Sequence, residues 1–394
     1  MVSNRQLFLR HVAQTSDSSL QFEIERAEGI FFYDTSGKAY IDLVSGVSVS
    51  ALGHGHPAVL KAVRDQAERY MHTMVYGEFI QSPQVAYAEW LANHLPRELG
   101  NVYFVNSGSE AIEGAMKLAK RSTERSEIIA CRNGYHGGTQ GALSILGEAN
   151  MRSGYLPLLP GIKHIRFNKK EDLGLIHNGV AAVIMEPIQA EAGILEPSGD
   201  YLLRVRERCS EVGALLILDE IQTGLGRTGK WMAFEHYGVV PDILCLAKSF
   251  GGGMPLGAFI SSMDYMRKLT FDPPLGHITT FGGHPVCCAA GLAAQKVVEE
   301  EGLMSHALKM EQLYRTGLKH PLLLGIRGKG LFLAAVLDPE VDVVRLIARA
   351  FEHGLVIDRF LFSKDSFRIA PPLNISEKEV ELTIQRIMTT LDDL

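Results

Sequence analysis

Apolar runs of strand length alternate with amphipathic and glycine-rich stretches along most of the chain. From about residue 102 onward, six such runs follow one another: VYFVN, EIIAC, VAAVIME, ALLILDE, ILCLA and GAFIS. Strands without a polar face are typical of a parallel sheet that helices cover on both sides. The alternation of strand and helix therefore predicts an α/β fold built on a mainly parallel sheet.

The amino-terminal region follows a different pattern. The runs GIFFYD and KAYIDL flank turn residues at 35–37 and predict a β-hairpin. Further along, His56 and Pro57 open a helix with apolar residues on one face, because proline is favoured in a first helical turn. The hairpin has no obvious sheet of its own. We expect residues 1–45 to pack with a second domain near the carboxyl terminus.

After residue 290 the pattern changes again. A long helical stretch leads into three short strands and a last helix, which begins at the capping box Ser376 and Glu379. The strands are LFLAAVL, LVID and FRIA. We therefore expect a large domain at 46–290 and a smaller α+β domain at 291–394.

Composition narrows the classes of partner. The chain has 394 residues, 46% of them hydrophobic, so it can bury a large core. Its formal net charge is −6, its pI is near 6.2, and it has no basic run. A nucleic acid or an anionic membrane would require a basic surface. Small molecules are therefore the expected partners.

The cysteines and the histidines argue against disulfides and metal. Five cysteines lie scattered in mostly apolar contexts without a CxxC pair, which favours a reducing compartment. His54 and His56 lie close in sequence, but no further ligands complete a metal set, and we predict no metal. The start of the chain lacks a signal-like apolar segment, and no apolar run approaches the ~20 residues that span a bilayer. We expect a cytoplasmic protein.

Two charged residues end two of the apolar strands. Asp219 follows LLIL, and Lys248 follows ILCLA and precedes a run of three glycines. In parallel sheets, ligands bind outside the carboxyl ends of the strands, which is where both charges fall. A buried carboxylate needs a cation or a strong donor, and a desolvated lysine has a lowered pKa. The alternative for each residue is a structural ion pair, which the two could even form with each other.

Other strand ends carry polar residues as well. Ser107, Gly108 and Ser109 precede a helix whose start is marked by Glu110, and its amides favour a phosphate. The sequence GYHGG sets Tyr135 and His136 among glycines, where an aromatic ring can lie against a planar ligand. Each feature alone is also compatible with an ordinary capped helix or surface turn.

Acidic residues follow the strand VAAVIME. Glu186 ends that strand, and Gln189 and Glu191 come soon after it. Buried acids are rarely left unpaired, so they either hold cations structurally or line a site. A lysine, an acid, a phosphate cradle and an aromatic ring at neighbouring strand ends together match the requirements of pyridoxal phosphate.

These residues stand in motifs of a known family. LLILDEIQTGLGRTG and PDILCLAKSFGGGMPLGAF closely resemble the signature of class III pyridoxal-phosphate-dependent aminotransferases, the group of ornithine, acetylornithine, 4-aminobutyrate and other ω-amino-acid transaminases. The likeness runs nearly end to end. It includes LGHGHPAVLKAV, NSGSEAIEGAMKLAK, GYHG, MEPIQAEAG, TTFGGHPVCCAA and FRIAPPL.

The resemblance implies a fold and an assembly. Its members have the fold-type-I architecture, a seven-stranded mainly parallel sheet plus a smaller domain from both chain ends. They are typically homodimers with active sites at the interface. We therefore expect a homodimer that binds pyridoxal 5'-phosphate.

The resemblance also implies residue roles. Lys248 corresponds to the Schiff-base lysine, Asp219 to the partner of the pyridine nitrogen, and Gln222 to a contact near the ring hydroxyl. Thr280 would reach the phosphate in the neighbouring subunit. Arg368 resembles an arginine that binds an acceptor carboxylate, and Glu191 the acid that pairs with it otherwise. The full set of expected cofactor residues is Ser107, Gly108, Ser109, Tyr135, His136, Glu186, Asp219, Gln222, Lys248 and Thr280, and the expected substrate residues are Val47, Gly138, Glu191, Thr279 and Arg368.

Two positions depart from the family pattern. Ornithine and acetylornithine enzymes usually read HGRT after the stacking aromatic, where the arginine grips a substrate carboxylate. This chain has Gly138 at that place. Ornithine enzymes also tend to have a tyrosine where this chain has Val47. His284, at a place where asparagine is common, has no interpretation from sequence.

The sequence therefore predicts a ping-pong aminotransferase that works through pyridoxamine phosphate. The donor would be an ω-amino acid, a β-amino acid or a less polar amine, and the acceptor 2-oxoglutarate or pyruvate. Two alternatives stay open. One is a decarboxylase, epimerase or aminomutase of the same fold, and the other is a non-catalytic cofactor-binding protein.

Overall fold

Fourteen strands and thirteen helices make up the computed structural model, which describes residues 2–17, 20–75 and 77–394. The strands are β1 Ile24–Glu28, β2 Phe31–Asp34, β3 Ala39–Asp42, β4 Asn101–Val105, β5 Glu127–Cys131, β6 Ile162–Ile165, β7 Val180–Met185, β8 Leu215–Asp219, β9 Ile243–Leu246, β10 Gly257–Ser261, β11 Leu323–Lys329, β12 Phe332–Leu337, β13 Leu355–Val356 and β14 Ser366–Ile369.

The helices vary from single turns to four turns. They are α1 Asn4–His11, α2 Ser45–Ser48, α3 Pro57–Arg69, α4 Ser82–His94, α5 Gly108–Thr123, α6 Gln140–Ile145, α7 Ala149–Arg152, α8 Tyr201–Val212, α9 Met263–Met266, α10 Pro285–Glu300, α11 Leu303–Gly317, α12 Val343–Glu352 and α13 Glu377–Asp392. Short 3-10 helices cover Arg97–Leu99, Ser153–Tyr155, Lys170–Leu175, Ala233–Tyr237, Lys248–Gly251 and Arg267–Leu269.

The central sheet confirms the predicted α/β class. Its seven strands run in the order β4-β10-β9-β8-β7-β5-β6. The six predicted runs all form strands of this sheet, and β6, with the sequence IKHI, is the seventh that the pattern did not reveal. Only β10 is antiparallel to its neighbours β4 and β9. The carboxyl ends of the other six strands therefore point to one edge.

The sheet is buried on both faces because its strands carry apolar side chains on both. In β8, Leu216 and Leu218 pack into one cluster, whereas Leu215 and Ile217 pack into another on the opposite face. Every residue of β7, β8, β9 and β10 is buried. Polar groups cannot be placed within such strands without cost, so they collect where the strands end.

The two chain ends meet in a second layer of structure. The predicted hairpin forms as β2 and β3, and β3 pairs in parallel with β13 near the carboxyl terminus. Strands β11, β12 and β14 form a separate antiparallel sheet. The predicted long helical stretch is two helices, α10 and α11, because Gly302 adopts a φ of 63° between them and interrupts the helix.

Two predicted helix starts are confirmed. Helix α3 begins at Pro57 after His56, and α13 begins after Ser376, which forms both halves of a capping box with Glu379. Among the described residues, no helix is long and apolar enough to cross a membrane. The five cysteines are free and buried.

Close packing of α5 on the sheet positions the helix start at the sheet edge. A Cβ on Gly114 would meet the ring of Phe259 on β10 at 2.2 Å. We expect Gly114→Ala to lower the free energy of unfolding by about 1–3 kcal/mol, because the ring has no room to yield in a close-packed core. Denaturant unfolding measures this. Gly174→Ala is the control, because nothing lies within 4 Å of its Cβ position, and equal losses in both variants would contradict the prediction.

Candidate functional site

A cavity of about 470 Å³ lies at the carboxyl edge of the central sheet. It is reached by the residues that follow β4, β5, β7, β8 and β9, five strands that end at the same edge. Of the predicted cofactor residues, its lining includes Ser107, Gly108, Ser109, Tyr135, His136, Glu186, Asp219, Gln222 and Lys248. Residues far apart in the chain therefore meet in one space because parallel strands share an edge.

The start of α5 forms one wall of the cavity. Ser107 is the N-cap, and its hydroxyl accepts a hydrogen bond from the amide of Glu110 at 3.2 Å. The second half of the expected capping box is absent here, because the Glu110 carboxylate accepts the amide of Asn106 instead, at 2.6 Å. Amides in the first turn, those of Gly108 and Ser109, have no intrahelical acceptor and carry the positive end of the helix dipole. They suit an anion such as phosphate.

Two glycines stand in this wall at positions with no room for a side chain. A Cβ on Gly108 would meet the side chain of Ile221 at 2.8 Å. Gly137 has a φ of 129°, and a Cβ there would meet the hydroxyl of Ser109 at 2.1 Å. Neither position tolerates a side chain without movement of its neighbours. Small residues are therefore required by close approach as well as by access to the backbone amides.

Asp219 pairs with a histidine at the end of β8. Its Oδ2 lies 2.7 Å from Nδ1 of His136, and its Oδ1 accepts the amide of Ile221 at 3.0 Å. Burial opposes the charged form of His136, but the hydrogen bond and the charge of Asp219 outweigh it and raise the His136 pKa. Asp219 thus has a structural partner, as the alternative expected, but that partner is His136, and no ion pair between Asp219 and Lys248 is present among the described residues. His136 supplies the donor that the buried carboxylate needs.

Glu186 binds the backbone of the segment that carries Tyr135. Its carboxylate accepts the amides of Tyr135 at 3.0 Å and of Ala190 at 2.7 Å. Burial raises the pKa of Glu186 to about 7, although the charge of His136 opposes this. The side chain both lines the cavity and fixes the backbone that carries Tyr135. A structural role and a site role therefore coincide in one residue.

Lys248 emerges from the end of β9 in a left-handed conformation, with a φ of 54°. Such a backbone is uncommon for a residue with a side chain and is often found at functional sites. Burial and, to a lesser extent, the charge of Arg368 lower the pKa of Lys248 to about 8, against the opposing charges of Glu191, Asp219 and Glu186. The amine is therefore a better nucleophile near neutral pH than an exposed lysine.

Glu191 and Arg368 form a buried ion pair beside the cavity. Nη2 of Arg368 donates to Oε1 of Glu191 at 2.7 Å, and only 1% of the Arg368 side chain is exposed. Nε2 of Gln222 donates to the same Oε1 at 3.2 Å, which links the pair to the cavity lining. Burial opposes the charged form of Glu191, but the charge of Arg368, the amide of Leu361 and the side chain of Gln222 together outweigh it and lower the Glu191 pKa.

The remaining predicted residues lie outside the cavity lining. Val47 lies in the run 45–48, whose four residues all have positive φ, a strained backbone for a β-branched side chain. Gly138 is exposed, and nothing lies within 4 Å of its Cβ position. The hydroxyl of Thr279 accepts a hydrogen bond from Asn106 at 3.0 Å, and Thr280 is exposed.

Some cavity residues were not predicted. Asn106 belongs to the same motif as Ser107 and could have been found as the first residue after β4. Val49 and the 254–256 segment carry no chemical signal in the sequence, because apolar wall residues look like ordinary core. His284 caps α10 and stacks on His72 with ring centroids 5.4 Å apart.

Comparisons with known proteins agree with the geometry. The family model described as Aminotransferase class-III matches residues 12–391. An acetylornithine aminotransferase of Caldanaerobacter subterraneus subsp. tengcongensis is 39% identical over 381 residues, which cover 94% of each chain. That of Streptomyces coelicolor is 41% identical over 373 residues, covering 93% of this chain and 90% of the relative.

Solved structures have the same architecture. An ornithine aminotransferase from Toxoplasma gondii, with partial occupancy of PLP at its active site, superposes with a TM-score of 0.90 at 31% identity, covering 98% of this chain and 93% of that one. An omega transaminase from Pseudomonas jessenii in complex with PMP superposes with a TM-score of 0.92 at 28% identity, covering 99% and 98%.

The lowered pKa of Lys248 predicts a pH profile. Only the neutral amine attacks a carbonyl, so protein freed of cofactor should capture pyridoxal phosphate roughly tenfold faster per pH unit up to about pH 8, and no faster above it. Stopped-flow absorbance at several pH values measures the rate. Lys268→Ala, at an exposed lysine, should leave the profile unchanged. A rate that still rises at pH 10 would contradict the prediction.

Proposed function

The chain belongs to the class III aminotransferases, and we propose that its donor is an ω-amino acid, a β-amino acid or a less polar amine. It is a pyridoxal-phosphate-dependent enzyme that moves an amino group from a donor to an oxo acid. We propose 2-oxoglutarate or pyruvate as that acceptor. A decarboxylase, an epimerase, an aminomutase and a non-catalytic protein are not favoured, because the matched relatives are aminotransferases.

The cavity residues fit this cofactor. We assign the phosphate to the first turn of α5, with the hydroxyls of Ser107 and Ser109, and the ring nitrogen to Asp219. Tyr135 would lie against the ring, and Lys248 would hold the aldehyde. Two buried polar atoms, Oε1 of Gln222 and Nε2 of His136, have no hydrogen-bond partner among the described residues. A ring with polar substituents would give Gln222 the donor that it lacks.

When bound, pyridoxal phosphate supplies a carbonyl that takes the amino group and a ring that withdraws electrons from the substrate carbon. The protein supplies the proton transfers and the charge. Nζ of Lys248 would remove a proton from the substrate carbon as general base and deliver it, as general acid, to the carbonyl carbon of the cofactor, so that the amino group stays with the cofactor. Asp219, held by His136, would place its carboxylate at the ring nitrogen and so favour the protonated form of the ring.

The open space at Gly138 carries the proposal on the donor. In the family this place usually holds the arginine that grips a substrate carboxylate. Here a side chain would fit, since nothing lies within 4 Å of the Cβ position, yet none is present. Several matched relatives are acetylornithine aminotransferases. Without an arginine at position 138, however, the α-carboxylate of acetylornithine lacks its bidentate partner.

We expect Gly138→Arg to raise kcat/KM for acetylornithine by about 10-fold or more, because a bidentate charged contact contributes ~1.5–3 kcal/mol. A panel of donors with 2-oxoglutarate or pyruvate as acceptor measures it. Activity with an amine donor that has no carboxylate should not rise. Gly154→Arg is the control, because its Cβ position is also open. A wild type for which acetylornithine is by far the best donor would overturn the proposal.

We assign the acceptor carboxylate to Arg368. Its guanidinium matches a carboxylate in geometry and charge, and Glu191 satisfies it until a carboxylate arrives. Donors without a carboxylate at this end would leave the Glu191 pair intact. One buried arginine thus serves both half-reactions.

We propose a homodimer in which Thr280 acts in the neighbouring subunit's site. The support is an exposed apolar surface on the same segment as Thr280, formed by Phe271, Leu275, Ile278 and Phe281. Ile80, 96% exposed, adds to the apolar surface of the chain. Exposed apolar residues in such number are typical of an interface. Thr280 lies outside the lining of its own chain's cavity, as a residue serving the partner would.

Hybrid dimers test this arrangement. Lys248→Ala and Thr280→Asp should each abolish or strongly reduce turnover, the latter by charge repulsion of the phosphate. Refolding the two variants together at equal amounts should restore about a quarter of wild-type activity, because half of the dimers are hybrids with one intact site. Activity that is not restored, while light scattering still shows dimers, would place Thr280 in its own subunit's site.

We further propose the location and domain division. Five free, buried cysteines favour the reducing cytoplasm. The pairing of β3 with β13 supports a segment at 1–45 that belongs with the small domain at 291–394, beside a large domain at 46–290.

A further inference from the structure

Arg368 faces a second carboxylate besides that of Glu191. Its Nε lies 3.5 Å from Oδ1 of Asp358. That distance suits an ion pair but is longer than a hydrogen bond. Oδ1 of Asp358 and Nε and Nη1 of Arg368 are buried and have no hydrogen-bond partner among the described residues. One guanidinium therefore has unused donors next to an unused acceptor.

The segment 358–362 encloses this pair. The carbonyl of Asp358 accepts the amide of Arg368 at 3.1 Å, which ties the two backbones together. The ring of Phe360 lies 4.9 Å from Cζ of Arg368. The amide of Leu361 donates to Oε2 of Glu191 at 3.1 Å. The same short segment thus contacts the guanidinium and both of its carboxylates.

Negative charges around Asp358 would outnumber positive ones once a ligand carboxylate binds Arg368. The groups that face it are Arg368 on β14, Glu191 after β7, and Asp42 on β3. Asp42 has its own partner, His54, at 3.0 Å. One buried cation thus already faces two carboxylates. A further carboxylate bound to Arg368 would add a third negative charge around one buried guanidinium, which is costly.

Asp358 is the carboxyl that can give up its charge. Burial, together with the charges of Glu191 and Asp42, raises its pKa to about 6 against the opposing charge of Arg368. Glu191 is less suited, because Arg368, Gln222 and the Leu361 amide all stabilise its charged form and lower its pKa. One third of the Asp358 side chain is exposed, so a proton can reach it from solvent.

We propose that Asp358 takes up one proton from solvent when the carboxylate of the oxo acid binds Arg368, and releases it when the product leaves. Asp358 is thus a positioning residue that adjusts the charge at the acceptor site. The inference rests on the proposed role of Arg368. No bond to carbon changes in this step, and only the oxygen of Asp358 gains and loses a proton.

The sign of the pH dependence follows. Below about pH 6 Asp358 is already neutral in the free enzyme, so binding a carboxylate takes up no proton there. Above that pH each binding event must also protonate Asp358. The Kd for a carboxylate ligand should then rise by up to about tenfold per pH unit. A carbonyl acceptor without a carboxylate, such as propanal, should show no such rise.

Calorimetry of the holoenzyme with glutarate tests the proposal. Glutarate has the carbon frame of 2-oxoglutarate without the oxo group, so it binds and does not react. Titrations in buffers of different ionisation enthalpy at pH 7.5 should give an uptake of about one proton per bound glutarate. Kd values between pH 6.5 and 8.5 should rise with pH as above.

Asp358→Asn is the decisive variant, since it mimics the neutral carboxyl in shape. It should take up no proton, lose the pH dependence of Kd, and bind glutarate at least as tightly as the wild type at pH 8. Asp365→Asn is the matched control, because Asp365 lies in the same loop but pairs with Ser363 and lies 3.6 Å from Arg327. It should behave as the wild type.

Three outcomes would overturn the proposal. Proton uptake that persists in Asp358→Asn but disappears in Glu191→Gln would assign the proton to Glu191. Weaker binding of Asp358→Asn by the same factor at every pH, with uptake unchanged, would show a purely structural role. Unchanged glutarate affinity in Arg368→Lys would overturn the proposed acceptor site itself, and with it this inference.

Discussion

A sheet that is apolar on both faces can carry charge only where its strands end, and this constraint arranges the molecule. The strands β7, β8 and β9 are buried throughout. Their charged residues follow at one edge, where each must find a partner because an unpaired buried charge is too costly. Asp219 pairs with His136, Glu186 accepts hydrogen bonds from two backbone amides, and Glu191 pairs with Arg368. The site consists of these paired charges at one edge of the sheet.

The backbone at this edge is as constrained as the charges. Lys248 and Val47 both have left-handed conformations, and Gly108 and Gly137 approach their neighbours too closely for any Cβ. Such features cost free energy and persist only where the surroundings enforce them. Here the enforcing parts are the starting turn of α5, the end of β9 and the contacts between the two chain ends. The rigidity of the site is therefore a property of the whole fold.

Chemistry and specificity are supplied by different parts of the chain. Asp219 and Lys248, which we assign to the cofactor, come from the ends of the adjacent strands β8 and β9. The residues assigned to the substrates come from elsewhere: Val47 near the amino terminus, Gly138 after β5, Glu191 after β7, and Arg368 and Asp358 near the carboxyl terminus. Changes at these places can alter the substrate while the strands that carry the chemistry remain as they are.

The sequence by itself determined the fold class, the family and nine of the nineteen residues that line the cavity. This was possible because the period of apolar residues reports which strands are buried, and because Lys248, Asp219 and the Ser107 turn stand directly at strand ends. Local pattern did not reveal the short strand β6, the reversed direction of β10 or the break at Gly302. Those depend on which strands become neighbours and on backbone angles.

Only the tertiary structure decided the pairings. Asp219 could have met Lys248 or another donor, and folding placed His136 there, 83 residues earlier in the chain. Asp358 drew no attention in the sequence, since an acid in a loop is usually solvated. It matters only because β14 and the loop before it bring its buried oxygen to Arg368. Long-range contacts of this kind arise from packing, which no local stretch of sequence encodes.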